Sequence, residues 1–264
     1  MSENPTIDKN APLSIETLYS SSGLSYWPVI LFLPARLLFA FIAQGFTASL
    51  FFNNGPTNAW LAAAAWWPVY STITDVLCLL SLIWLTRRED MTIIDLLGAR
   101  GKTALKQFAW TPAYLLAVLP GAILAHLITT AFYGSTLPPM ITIVNLPPLG
   151  VFYFLLIWPV IWVIAEELVY LGYLLPRIEV LSGSTWIAVL VVIFFWGFQH
   201  FAIPFIPDEK YLVSRVLAAF AAIGAFTIVF VLWKRRLIPL IGAHYVADLS
   251  TAIIAGLLPF LNSL

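Results

Sequence analysis

Apolar residues run in long blocks along this chain, and polar residues collect at the seams between them. A helix that crosses a bilayer needs about 20 mostly apolar residues. Blocks of that length lie at 27–52, 60–86, 107–133, 149–175, 185–206, 213–233 and 237–260. The pattern predicts an all-α fold, a polytopic transmembrane helical bundle of about seven spans. An eighth span arises if the block at 107–133 divides at Pro120–Gly121. The stretch LAAAAWWPVYS, residues 61–71, has the makings of a re-entrant piece. Residues 1–26 read as a polar cytoplasmic arm without the basic-then-apolar layout of a cleavable signal. Residues 27–264 read as a single transmembrane domain.

Composition agrees with the blocks. Hydrophobic residues make up 61% of the chain and charged residues 10%, where a soluble domain carries about 25% charge. The expected location is an integral, multi-pass membrane protein with lipid as its surroundings. Thirteen basic residues balance thirteen acidic ones, so nothing in the charge points to nucleic acid. The single cysteine, Cys78, excludes an internal disulfide and a cysteine-based zinc site.

The basic residues set an orientation. Arg87, Arg88, Arg100, Lys102 and Lys106 crowd one loop, Arg177 follows the fourth block, and Lys234, Arg235 and Arg236 follow the sixth. Seven spans put all three groups on one side, and the positive-inside rule then predicts a cytoplasmic amino end. Within the first loop, REDMTIIDLLGARGKTALKQ has apolar residues at helical spacing and is expected to lie on the membrane face.

Polar residues inside the blocks are few: Arg36, Asp75, His126, Glu166, Glu167, His200, His244 and Asp248. Ionisable groups at membrane depth are costly and need partners. Arg36 and Asp75 can pair with each other, and His126 stands alone in its block. The other five cluster in short motifs. HYVAD sets His244 and Asp248 one helical turn apart, and WGFQH does the same for Trp196 and His200. In EELVY the two carboxylates lie about 100° apart around the helix. Counting about 1.5 Å per residue, Glu166 lies roughly 15 Å, His244 about 10 Å and His200 about 22 Å from one membrane face. One chamber is therefore within reach of all three. A carboxylate beside imidazoles supplies a general base for water, and a hydrogen-bonded His–Asp couple can stabilise an oxyanion. The same donors could hold zinc, although the chain contains no HExxH.

Taken together, EELVYL, WGFQH and HYVAD resemble the CPBP intramembrane proteases, which include the CAAX prenyl endopeptidases and the bacteriocin-processing or Abi proteins. That family's pattern is EExxxR, then FxxxH, then HxxxN or HxxxD, and the resemblance covers residues 150–260. It implies an intramembrane endopeptidase acting on a peptide or protein, with or without an attached lipid. It implies Glu166 as the base, His200 as its helper, His244 and Asp248 at the oxyanion, and Glu167 in support. No cofactor is expected, with zinc as the alternative. Trp196 replaces the pattern's phenylalanine and keeps an aromatic wall for substrate. Leu171 replaces its arginine, so Glu167 needs another partner, with Arg36 expected first and Arg177 second. Two other readings stay open: a catalytically silent relative that binds a membrane partner, and a proton-coupled transporter, although no related halves are evident.

Overall fold

The computed structural model describes residues 26–52, 55–135, 137–139 and 147–262, the side chains of 56–58 excepted. The polar arm expected over 1–26 falls outside this range apart from Tyr26. Among the described residues six helices are long and apolar enough to cross a membrane: Tyr26–Ser49, Trp67–Arg88, Thr111–Tyr133, Pro148–Ser182, Glu209–Leu232 and Leu237–Asn262. A shorter apolar helix, Thr185–Phe201, lies between the fourth and fifth. The all-α bundle of about seven spans is thus present.

Prolines and local hydrogen bonds divide these spans. The first consists of α1 (Tyr26–Phe32) and α2 (Ala35–Ser49), which part at Pro34, a residue with no N–H to continue the helix. The block expected at 60–86 holds one span, but that span begins only at Trp67. The block breaks between α3 (Pro56–Ala64) and α4 (Trp67–Arg88), because Pro68 in the first turn of α4 cannot donate back to Ala64. Residues 61–71 are accordingly shared between two helices. After α4 the chain turns through a short 3-10 helix, Ile93–Leu97, into α5 (Gly101–Phe108). Thr92 and Asp95 cap that turn reciprocally. Burial pushes the Asp95 carboxyl up, but its bonds from Thr92 and the nearby Arg100 outweigh this and leave it below its ordinary value.

The block at 107–133 does not divide. It forms one helix, α6 (Thr111–Tyr133), with Pro120 inside it. Gly121 explains the pair: a Cβ there would lie 2.3 Å from the Ala225 Cβ and 2.7 Å from the Ala221 carbonyl oxygen. Both belong to α11 (Glu209–Leu232), and α6 and α11 form the most extensive helix contact in the bundle. The glycine marks a close helix crossing of the kind small residues permit in membranes.

The fourth span comprises α7 (Pro148–Leu156), α8 (Trp158–Glu167), a π-helical stretch Leu168–Leu174 and α9 (Leu175–Ser182). Then come α10 (Thr185–Phe198), capped by the Ser184 hydroxyl, and a 3-10 turn Gln199–Phe201. This element stops short of the expected residue 206. Gln44 on α2 both donates to the Phe205 carbonyl and accepts from the Phe205 N–H, each at 2.9 Å, so the backbone there is satisfied outside a helix. The chain ends through α12 (Leu237–Ala252), a second π turn and α13 (Leu258–Asn262).

Two large apolar clusters fill most of the bundle, and a small third one joins Ala64, Ile206 and Tyr211. Of the two large ones, the first contains Trp67, Phe154, Trp158, Trp162 and Val163, and the second Leu82, Leu168, Leu171, Leu174 and Val192. Glu166 and Glu167 fall in sequence where the chain passes from the first to the second. The loops that carry the basic residues meet at one end. Arg177 bonds Glu89 and the Tyr173 carbonyl, Arg235 bonds Glu179, and the Tyr114 hydroxyl donates 2.6 Å to the Trp233 carbonyl.

Replacing Gly121 by leucine forces α6 and α11 apart. The variant is expected to lose about 1–3 kcal/mol or more of stability, read as a lower thermal unfolding midpoint of the detergent-solubilised protein.

Candidate active site

Five helices bring ionisable side chains to one place. Arg36 comes from α2, Asp75 from α4, Glu166 and Glu167 from the end of α8, His200 from the turn after α10, and His244 with Asp248 from α12. Arg36, Asp75, Glu166 and Glu167 are fully buried. His200 and Asp248 retain 12% and 15% side-chain exposure, so they mark the side of the cluster that is open.

Glu166 is at the centre. Its Oε1 accepts from the Arg36 Nη1 and, at 2.9 Å, from the Gln199 amide. His200 Nε2 lies 3.8 Å from the same oxygen, and His244 Nε2 lies 3.6 Å from Oε2. Oε2 itself has no hydrogen-bond partner in the protein, and neither does Glu167 Oε2 or Asp248 Oδ2. Buried acceptors are rarely left unpaired, so these atoms point to a polar guest such as water.

The imidazoles have fixed roles for their nitrogens. His200 Nδ1 lies 2.9 Å from the Trp196 carbonyl. A carbonyl only accepts, so Nδ1 carries a proton, and Nε2 is the nitrogen turned toward Glu166. His244 Nδ1 lies 3.0 Å from Glu167 Oε1, and its Nε2 is 3.5 Å from Asp248 Oδ2. Glu167 therefore orients His244 from behind, as carboxylates orient catalytic imidazoles. Phe226 packs on that ring with centroids 4.7 Å apart.

Several expectations change in detail. Glu167 takes His244 as its partner, not Arg36. Arg36 instead binds Asp75 through Nε at 2.9 Å and Nη2 at 2.7 Å, and turns its remaining edge to Glu166. Arg177 is committed to Glu89. Leu171 packs within the apolar core at 1% exposure. Trp196 is fully buried and stacks on Tyr170 at 5.2 Å. Its carbonyl holds His200, its indole lies against Glu166, and its ring centroid is 6.0 Å from that of His244. His126 is exposed on α6 and takes no part in the cluster.

The sequence reading missed Gln199 and Tyr170. Gln199 adjoins His200 in WGFQH, and a buried amide next to a candidate base was the available signal. Its oxygen accepts 2.8 Å from the Tyr170 hydroxyl while its nitrogen serves Glu166. Among the described residues no group of three or more His, Cys, Asp or Glu side chains is arranged to hold a metal ion. The Arg36 cation on Glu166 Oε1 would also repel one.

Gln199→Leu leaves a buried hydroxyl and a buried carboxylate each short of a partner. Thermal unfolding is expected to show a loss of about 1–3 kcal/mol, with Tyr170→Phe costing less, about 0.5–1.5 kcal/mol.

No curated protein and no solved structure matches the chain. A family model does, over residues 148–250, and its description is type II CAAX prenyl endopeptidase, Rce1-like. That segment runs from α7 into α12 and contains EELVYL, WGFQH and HYVAD, the residues that carry the resemblance. The chain is an integral, multi-pass membrane protein whose segment 148–250 is similar to the Rce1-like CAAX prenyl endopeptidases.

Proposed function

We propose that this protein is an intramembrane endopeptidase that hydrolyses a peptide bond with water activated by Glu166 and His200. The observation that carries the reading is the meeting of two proton acceptors. Glu166 Oε1 is already engaged by Arg36 and Gln199, which leaves Oε2 free, and His200 Nε2, which carries a lone pair when the ring is neutral, faces the same carboxylate. Water held between two acceptors donates both hydrogens to them and keeps its own lone pairs for attack.

The steps follow from these positions. The water oxygen bonds to the scissile carbonyl carbon as its proton passes to Glu166. His244, held at Nδ1 by Glu167 and flanked at Nε2 by Asp248, donates from Nε2 as an imidazolium to the developing oxyanion. The tetrahedral centre then collapses, the C–N bond breaks, and the proton on Glu166 moves to the leaving nitrogen. A carboxyl and an amine are released. No step requires a metal.

The substrate is a peptide or protein, with or without a lipid, that approaches the side marked by His200 and Asp248. The basic loops gathered at one end of the bundle support a cytoplasmic position for that end and for the amino terminus.

A farnesylated CAAX-type reporter peptide, run beside its unprenylated form, tests the assignment in proteoliposomes. Glu166→Gln and His200→Ala are each expected to cut cleavage by roughly a hundredfold or more while membrane insertion is unchanged. Wild-type rates in both variants would reject hydrolysis at this site, and proton flux coupled to a solute would favour a transporter. Treatment with a zinc chelator is expected to leave the cleavage rate unchanged.

A further inference from the structure

The family pattern would place an arginine at Leu171, yet that position lies in an apolar core. A cation is nevertheless present at the carboxylates. We propose that Arg36, delivered from α2, is the positioning residue for Glu166. This rests on the hydrolase reading above.

The arrangement is specific in its bonding. Arg36 has no exposed surface. Two of its nitrogens go to Asp75 Oδ1, which fixes the rotation of the guanidinium, and Nη1 is then directed at Glu166 Oε1. The Trp162 ring lies 4.2 Å from the guanidinium carbon and covers its face, a stacking that suits arginine. A planar fork can serve two carboxylates at once, and a lysine ammonium on a flexible stem cannot hold the same geometry.

This bonding also selects the reactive oxygen. With Arg36 and Gln199 both on Oε1, the proton from water is left to Oε2. Arg36 is therefore expected to do two things: keep Glu166 ionised where no bulk water solvates it, and hold the carboxylate so that Oε2 is turned toward His244. Neither Arg36 nor Asp75 falls within the segment matched by the family model, so that match did not reveal them.

The experiment compares Arg36→Leu, Arg36→Lys and Asp75→Asn with the wild type by cleavage of the reporter peptide across pH and by infrared spectroscopy of the protonated-carboxyl stretch. Arg36→Leu is expected to lower kcat/KM by about a hundredfold or more. It is also expected to move the acid limb of the profile up by about one to three pH units, because a buried carboxylate without its cation takes up a proton more readily. Arg36→Lys is expected to return part of both, and Asp75→Asn to show a smaller shift in the same direction. If Arg36→Leu does not fold, these two variants carry the comparison. In the infrared spectrum at neutral pH, Arg36→Leu should gain a protonated-carboxyl band that disappears when Glu166→Gln is added.

An unmoved acid limb, with no new carboxyl band, overturns the proposal. If Glu166→Gln cleaves at the wild-type rate, the hydrolase reading falls, and the infrared comparison still decides whether Arg36 holds Glu166 ionised.

Discussion

The bundle is built around the difficulty of keeping charge where water is scarce. Isolated ions under such conditions are prohibitive, and a buried pair survives only when its geometry and its additional hydrogen bonds are good. Here one guanidinium joins carboxylates from two other helices, an amide from a fourth supplements it, and an imidazole from a fifth completes the group. Each helix is thereby held to the others by a polar contact that has no substitute in hydrocarbon. Without this mutual satisfaction the glutamate pair would disrupt its span instead of defining a site.

The surrounding frame is close-packed and mostly apolar, and it acts on the polar cluster in specific places. Gly197 lies in the same motif as His200, and a Cβ there would come 2.3 Å from the Phe220 ring, so α10 and α11 meet closely just before the histidine. Trp67, Trp158 and Trp162 form a run of edge-on and tilted rings beneath Arg36. Immediately after Glu167 the helix widens into π geometry, a departure often found where side chains must be aimed away from regular helical phase.

Much of this was readable from residue pattern. The spans follow from hydrophobic length, because hydrocarbon leaves the backbone few alternatives to a helix. The motif residues Glu166, His200, His244 and Asp248 stand out because ionisable side chains in apolar runs need a reason to exist. The pairing of Arg36 with Asp75 could also be foreseen. What could not be read was anything decided between helices. Pro120–Gly121 looks like a break in one dimension, but it serves an approach to Ala221 and Ala225, which lie about a hundred residues further on. The second hand of Arg36, on Glu166, depends on how α2 packs beside α8. Gln199 has no charge to draw attention to it, and its importance comes from the two buried groups it happens to reach.

α2 has a double attachment. Through Arg36 it grips the central glutamate, and through Gln44 it pairs with the backbone at Phe205, just beyond the turn that carries His200. Tyr70 donates 3.1 Å to the same Gln44 oxygen and stiffens the joint. The acid and its imidazole are thus yoked to a single rod that lies outside the matched segment. On the hydrolase reading, a tilt or slide of that rod would displace Glu166 and His200 in concert.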